Sequence, residues 1–322
     1  MAPQIIFGTA SFGMDMTEFQ DVESIKKLLE TLEELGINHL DSGARYPPLN
    51  PGRSEELIGE AQDISHNFVV DTKVYTDTAN DGDGDLERDA MQRSVNGSLR
   101  RLQRPAGINV LHAHRPDPVT PLEEQIQNFN EQIHQGHCKG WGLSNTPPST
   151  LLKILNLCEN NGWQKPIYYQ GEYSIISRGM ETKLLPILRS HGMAFNAFRS
   201  LASGFLTGKL INNEALGTRF SDDNPIGKAL QKVFGAEDLH RAVKNFDVKV
   251  KAHDMTPIEV AIRWVSHHSA LGDNDSIVIG ASKTAQLVET VAFIQKGPLP
   301  AAVLTLADEL WDAIKETRGD II

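Results

Sequence analysis

The chain has 322 residues, 40% of them apolar, which is enough to bury a large core as one large domain or two ordinary ones. Its 31 basic and 42 acidic side chains leave a net charge of −11. That balance opposes broad contact with a phosphate backbone and predicts no nucleic-acid partner, although a local Lys and Arg cluster can still hold a phosphorylated small molecule.

The chain opens MAPQIIFGTASFG, with no basic segment ahead of an apolar one, and nowhere is there the run of ~18 apolar residues that a membrane span needs. A soluble, cytoplasmic protein with no membrane contact is expected. Short β-branched or apolar runs then alternate with amphipathic ones, the pattern of a parallel α/β fold. The predicted strands are 5–11 (IIFGTAS), 37–42 (INHLDS), 68–74 (FVVDTKV), 108–114 (INVLHAH), 139–145 (KGWGLSN), 167–173 (IYYQGEY), 194–200 (AFNAFRS) and 276–282 (SIVIGAS). Between the first two lies a helix over 22–36, where Ile25, Leu28, Leu29, Leu32 and Leu35 keep the spacing of one buried face and Gly36 ends it. Further helices are predicted over 86–102, 121–133, 149–161, 181–191, 257–268 and 284–295, with one more inside the polar stretch 204–254 and another over 304–319. Cys138 and Cys158, the only cysteines, form no CxxC pair and read as reduced, packed thiols.

Eight strand and helix units in this length point to a (β/α)8 TIM barrel with extra helices, spanning residues 1–322 as one domain. A doubly wound sheet would use fewer strands and a Gly-rich phosphate turn, and the first turn, GTASFG, is not GxGxxG. In such barrels reacting groups sit at the C-terminal ends of the strands. There Asp41 ends the second run, Tyr46 follows in its loop, Lys73 ends the third, and His112 and His114 end the fourth on one face. Singly, each has a structural explanation as a turn cap, a packing ring or a snorkelling amine. Together they form a proton-donating device in which an ammonium within ~4–6 Å of the phenol stabilises phenolate and lowers a pKa that starts near ~10. Asp41 would hold the lysine and keep it charged.

The motifs DSGARY (41–46), TKV (72–74), HRPDPVTP (114–121), GLSN (142–145), YYQGEYS (168–174), GFLTGK (204–209) and GASKTAQL (280–287), in this order, resemble the aldo-keto reductase superfamily, nearest to its aflatoxin-aldehyde-reductase branch and fungal relatives. The resemblance implies NADPH-dependent reduction of an aldehyde or ketone to an alcohol. Hydride would come from nicotinamide C4 and the proton from Tyr46, with Asp41, Lys73 and His114 completing a tetrad. His114 is preferred over His112 because the proline-aspartate turn follows it directly; His112 reads as a second-layer residue hydrogen-bonded to a neighbour.

By the same resemblance, Ser144, Asn145 and Gln170 hold the nicotinamide carboxamide and Phe198 stacks on its ring, although Ser144 and Asn145 also suit the cap of the next helix. The cofactor phosphates fall on Arg199, Ser200, Leu201, Ser203, Gly204 and Lys209, and on the helix opening at Gly280, Ser282, Lys283 and Gln286. Lys283 and Arg219 would meet a 2′-phosphate. No metal is implied; HxH in a zinc barrel hydrolase is the competing enzymatic reading. A carbonyl compound is the expected partner, and a homodimer is in keeping with related branches.

Three departures stand out: Arg199 and Ser200 where a small polar residue and proline are usual, Thr290 where Asn is common, and Gly43 where Ala is frequent, the last expected to be mild. Phe12, Met14, Arg115 and the segment 218–235 are placed to set substrate choice. The alternative function is a cofactor-binding regulatory or channel-subunit-like barrel with little turnover.

Overall fold

In a computed structural model, described over residues 3–104, 107–212, 214–218, 220–224 and 226–321, the predicted strands all form. They are β1 (Gln4–Gly8), β2 (His39–Asp41), β3 (Val69–Lys73), β4 (Ile108–Ala113), β5 (Cys138–Ser144), β6 (Tyr168–Glu172), β7 (Ala194–Phe198) and β8 (Ser276–Ile279). Each pairs in parallel with the next, and β8 closes on β1, giving a (β/α)8 barrel. Alternate strand residues divide between axis and helices. Trp141 turns outward and stacks on Phe129 of the helix Leu122–His134, with ring centroids 4.7 Å apart. Its neighbour Gly142 turns inward, where a Cβ would lie 2.5 Å from Nδ1 of His112.

The strands stop short of the expected C-terminal limits, and backbone conformation gives the reason at two of them. Asn145 (φ +53°) and Arg199 (φ +58°) take the left-handed region and leave the sheet. His114, Asn145, Arg199, Ser200 and Ser282 therefore stand on loops above the strand ends.

The first helix forms as expected over Val22–Glu34, opened by a capping box at Asp21 and closed where Ile37 donates to the carbonyl of Leu32 around Gly36 (φ +74°). The helix expected over 181–191 is two pieces, Met180–Lys183 and Leu185–Ser190, because Pro186 cannot continue the first. The stretch 204–254 holds two α-helices instead of one, Gly227–Phe234 and Glu237–Lys251. It is pinned by a cluster in which Phe205 stacks on Phe234 at 5.0 Å and Phe220 meets both edge-on.

Two helices between β2 and β3, Arg53–Glu60 and the short Gln62–Ser65, were not expected; the eight residues of the first carry too few apolar positions to announce it. It packs on the helix Arg88–Leu102 through Gly59, where a Cβ would come within 2.0 Å of the Arg101 carbonyl oxygen. Among the described residues no helix is long and apolar enough to cross a membrane. Gly59→Ala must push these two helices apart. It is expected to cost about 2 kcal/mol, the scale of overpacking a close contact, read as a lower urea midpoint at unchanged slope; an unchanged midpoint would contradict the contact.

Candidate active site at the barrel mouth

Asp41 is the anchor of the mouth. Both its carboxylate oxygens accept from Lys73 Nζ at 2.7 Å, and Oδ1 also accepts from Gln170 Nε2 at 2.9 Å. The third ammonium proton of Lys73 goes to the Ser42 carbonyl at 2.8 Å. Burial works against the charge on Lys73, but Asp41 together with the other groups around it outweighs burial, and its pKa stays above the usual lysine value.

Tyr46 is fixed by its backbone: its N–H donates to Gly43, and its carbonyl accepts from Gly52 and Ser54. Its ring lies over Gly43, where a Cβ would stand 3.2 Å from Cε2, so the glycine gives the ring room that alanine would narrow. Lys73 Nζ sits 5.0 Å from the ring centroid. Lys73 pulls the phenol pKa down as expected, yet burial pushes harder in the other direction, Asp41 adds to it, and the phenol ends above 10. The phenol therefore stays protonated through neutral pH.

His114 meets the Tyr46 ring edge-on, centroids 5.5 Å apart at 89°. Burial, with Lys73, Arg115 and Arg45 nearby, lowers its pKa to about 3, so the ring is neutral and can hydrogen-bond to an oxygen placed beside the phenol. His112 lies deeper, in register with Lys73 and Gly142. The hydrogen bond to a neighbour expected of it is absent: neither ring nitrogen meets a protein group, because the inward-facing residue in register on β5 is a glycine.

Around this centre stand the other expected residues. Ser144 Oγ accepts from Asn145 Nδ2, which also donates to the His114 carbonyl at 2.9 Å. The pair therefore braces two mouth loops and does not cap the next helix, whose N-cap, Pro147, has no side-chain hydrogen bond. Phe198 ends β7 with the Arg199 guanidinium 5.5 Å from its ring centroid. Arg199 turns to Glu172 at the end of β6, Nη1 to Oε2 2.7 Å, a partner that sequence reasoning missed. Glu172 also accepts from Ser177 and lies 3.5 Å from Arg318 near the C-terminus; only the folded chain brings these together.

Ser200 is buried with its hydroxyl unpartnered. Beyond Leu201, the residues Ala202, Ser203 and Gly204 take consecutive left-handed conformations, φ +49°, +57° and +89°; the N–H groups of Ala202 and Gly204 donate to the carbonyls of Arg199 and Leu201 at 2.7 and 2.9 Å, so the turn is closed on itself. Nothing lies within 4 Å of a Cβ built on Gly204. Lys209 is exposed, and Arg219 lies outside the described residues. After β8 and the exposed Gly280, Ser282 donates to Gln286, and Lys283 precedes the helix Thr284–Gln295. The Thr284 N–H at its first turn donates to the Glu18 carboxylate at 2.9 Å, an occupant that sequence reasoning missed. Thr290 donates back to the Gln286 carbonyl, so its hydroxyl proton is spent within the helix.

His112 is fully buried, and burial lowers its pKa to about 4. Unfolded, it titrates near 6.5, so below that pH the unfolded chain binds more protons and stability falls as pH drops towards 4. At pH 5 its contribution is a loss of about 2 kcal/mol relative to neutral pH. Urea midpoints at pH 7 and pH 5 should show this loss in the parent and a shallower one in His112→Gln; equal slopes would contradict it.

The model of the aldo/keto reductase family matches residues 4–312. Among curated relatives, the oxidoreductase sirO of Leptosphaeria maculans is 32% identical over 98% of this chain and 95% of its own. An aldo-keto reductase of Pseudocercospora fijiensis is 31% identical over 89% and 97%. Aflatoxin B1 aldehyde reductase member 2 of Rattus norvegicus is 31% identical over 98% and 86%.

Proposed function

Because the chain belongs to the aldo/keto reductase family, we propose that it reduces an aldehyde or ketone to the alcohol with NADPH, using Tyr46 as the acid. The observation that carries this reading is the Asp41–Lys73–Gln170 knot, which places a buried ammonium 5.0 Å from the ring centroid of a phenol that stays protonated. A carbonyl oxygen between Tyr46 Oη and the neutral His114 ring receives a hydrogen bond from each as negative charge grows on it. Tyr46 then gives up its proton, and Lys73 stabilises the phenolate left behind. When bound, the nicotinamide supplies the hydride.

The residues present fit such a cofactor. The Phe198 face suits the nicotinamide ring, the unpartnered Ser200 hydroxyl suits a phosphate oxygen, and Ser144, Asn145 and Gln170 would hold the carboxamide. Arg199 would lie at the edge of the pyrophosphate, its other donors available while Nη1 stays on Glu172. The helix N-terminus at Lys283 and Thr284 favours a 2′-phosphate, with Lys283 beside it.

Tyr46→Phe removes the acid alone. The rate with nitrobenzaldehyde and NADPH should fall by about 10²–10⁴ while NADPH binding, followed by fluorescence, stays at the parent value. A variant as fast as the parent would exclude Tyr46. No turnover by the parent on any of a panel of aldehydes, despite tight NADPH binding, would favour the regulatory reading. Glu18→Gln takes an anion off the helix end, so KM for NADPH should drop about two- to fivefold with KM for NADH unmoved; an equal change for both cofactors would remove the 2′-phosphate from this place.

A further inference from the structure

The last helix of the chain, Ala301–Arg318, ends on a guanidinium turned inward. Arg318 is buried, and each of its three nitrogens has a protein partner. Nε donates to the Ile176 carbonyl at 2.7 Å, Nη1 to the Val233 carbonyl at 3.4 Å and Nη2 to the Ser177 hydroxyl at 3.4 Å. Its guanidinium carbon also lies 5.2 Å from the Phe234 ring centroid. Three parts of the chain therefore meet on this one side chain: the last helix, the loop after β6 and the end of the helix Gly227–Phe234. A cation buried in this way needs an anion beside it. That anion is Glu172, at the end of β6.

The two oxygens of Glu172 are used differently. Oε1 accepts from the Ser177 hydroxyl at 2.9 Å and faces Arg318 Nη2 at 3.5 Å, whereas Oε2 accepts from Arg199 Nη1 at 2.7 Å. An arginine beside an open carboxylate commonly engages both oxygens with two parallel N–H groups. Here the other oxygen is already occupied, and the contact with Arg199 is single. Among the described residues, Nη1 is the one nitrogen of Arg199 with a protein acceptor, and the side chain is 38% exposed. Within this trio two guanidiniums share one carboxylate, which leaves one positive charge in surplus. Arg318 is enclosed, so the surplus is offered at Arg199, near enough to the mouth to pull down the pKa of the Tyr46 phenol.

We propose that Arg318 and Ser177 are positioning residues for the cofactor: by filling one oxygen of Glu172 they hold Arg199 to a single-pronged contact and leave its other N–H groups free for the pyrophosphate. This role rests on the reading of the mouth as a nicotinamide dinucleotide site. Without the Ser177 hydroxyl or the Arg318 guanidinium, Oε1 opens to Arg199, and a two-pronged pair takes up donors that the pyrophosphate would use. The end of the chain thereby sets how firmly the cofactor is held. Because NADPH and NADH share the pyrophosphate, the effect falls on both alike, unlike a change at the 2′-phosphate.

Ser177→Ala removes one occupant of Oε1 without changing charge, and Arg318→Met removes the other. Fluorescence titration of the whole chain should show Kd for NADPH and for NADH raised about three- to tenfold in each variant. Adenosine 2′-monophosphate, which carries the 2′-phosphate but no pyrophosphate, should bind as it does to the parent when followed by calorimetry. In an Arg199→Met background the same two changes should move either Kd by less than about twofold, since the side chain they act through is gone. A loss that persists there at full size would come from through-space charge or altered folding, and would overturn the role. Unchanged affinity in Ser177→Ala, or a matching loss for adenosine 2′-monophosphate, would overturn it too. Should Arg318→Met not fold, Ser177→Ala and its pair with Arg199→Met still decide. A parent that binds neither NADPH nor NADH overturns the cofactor reading itself, whereas a parent that binds both and variants that match it overturn this role alone.

Discussion

The buried ion pair of Asp41 and Lys73 is the constraint around which the mouth of the barrel is arranged. Two charges removed from water are expensive to bury, and the expense is offset only where every hydrogen-bonding position is met. Here the ammonium has three acceptors within 2.8 Å, and Asp41 takes a further proton from Gln170. Removing one partner would leave the other charge buried and alone, a change of about 3–5 kcal/mol in comparable settings. The pair ties β2, β3 and β6 together, and it gives the site a fixed positive centre beside Tyr46.

That centre acts against a background that favours neutrality. Burial lowers the pKa of His114 to about 3 and of His112 to about 4, and raises that of Tyr46 despite Lys73. The mouth thus joins one retained charge pair to uncharged groups able to give or share protons. Such a division, with neighbouring groups pushed apart in pKa, is how a protein keeps an acid protonated at neutral pH while holding charge close to it.

A second set of acidic side chains shapes the approach to the site. Glu172 holds Arg199, and Glu18 sits on the helix end at Thr284. One engages a guanidinium and the other a helix N-terminus, so the rim carries its own anions on two groups of polarity opposite to theirs. The backbone contributes as much: the left-handed residues Asn145 and Arg199, each directly after a strand end, turn the chain out of the sheet.

The alternation of apolar runs with amphipathic segments determined the barrel, because eight parallel strands with helices between them have few other ways to bury both faces. Strand-end placement likewise puts Asp41, Lys73 and His114 at one mouth, since chain direction in a parallel barrel fixes which end they share, whereas His112, expected beside them, lies deeper in the barrel. The helix Arg53–Glu60 was not legible, because tertiary contact through Gly59 sustains it more than its own periodicity does. Nor was the net direction of the Tyr46 shift, which depends on how burial weighs against a charge whose distance no sequence states. The pairings Glu172–Arg199, Glu18–Thr284 and Gln170–Asp41 join residues 27, 266 and 129 positions apart. So does the isolation of His112 belong to the folded chain: a polar residue on a strand declares its face by periodicity, but whether anything meets it there is decided by the packing of the other seven strands.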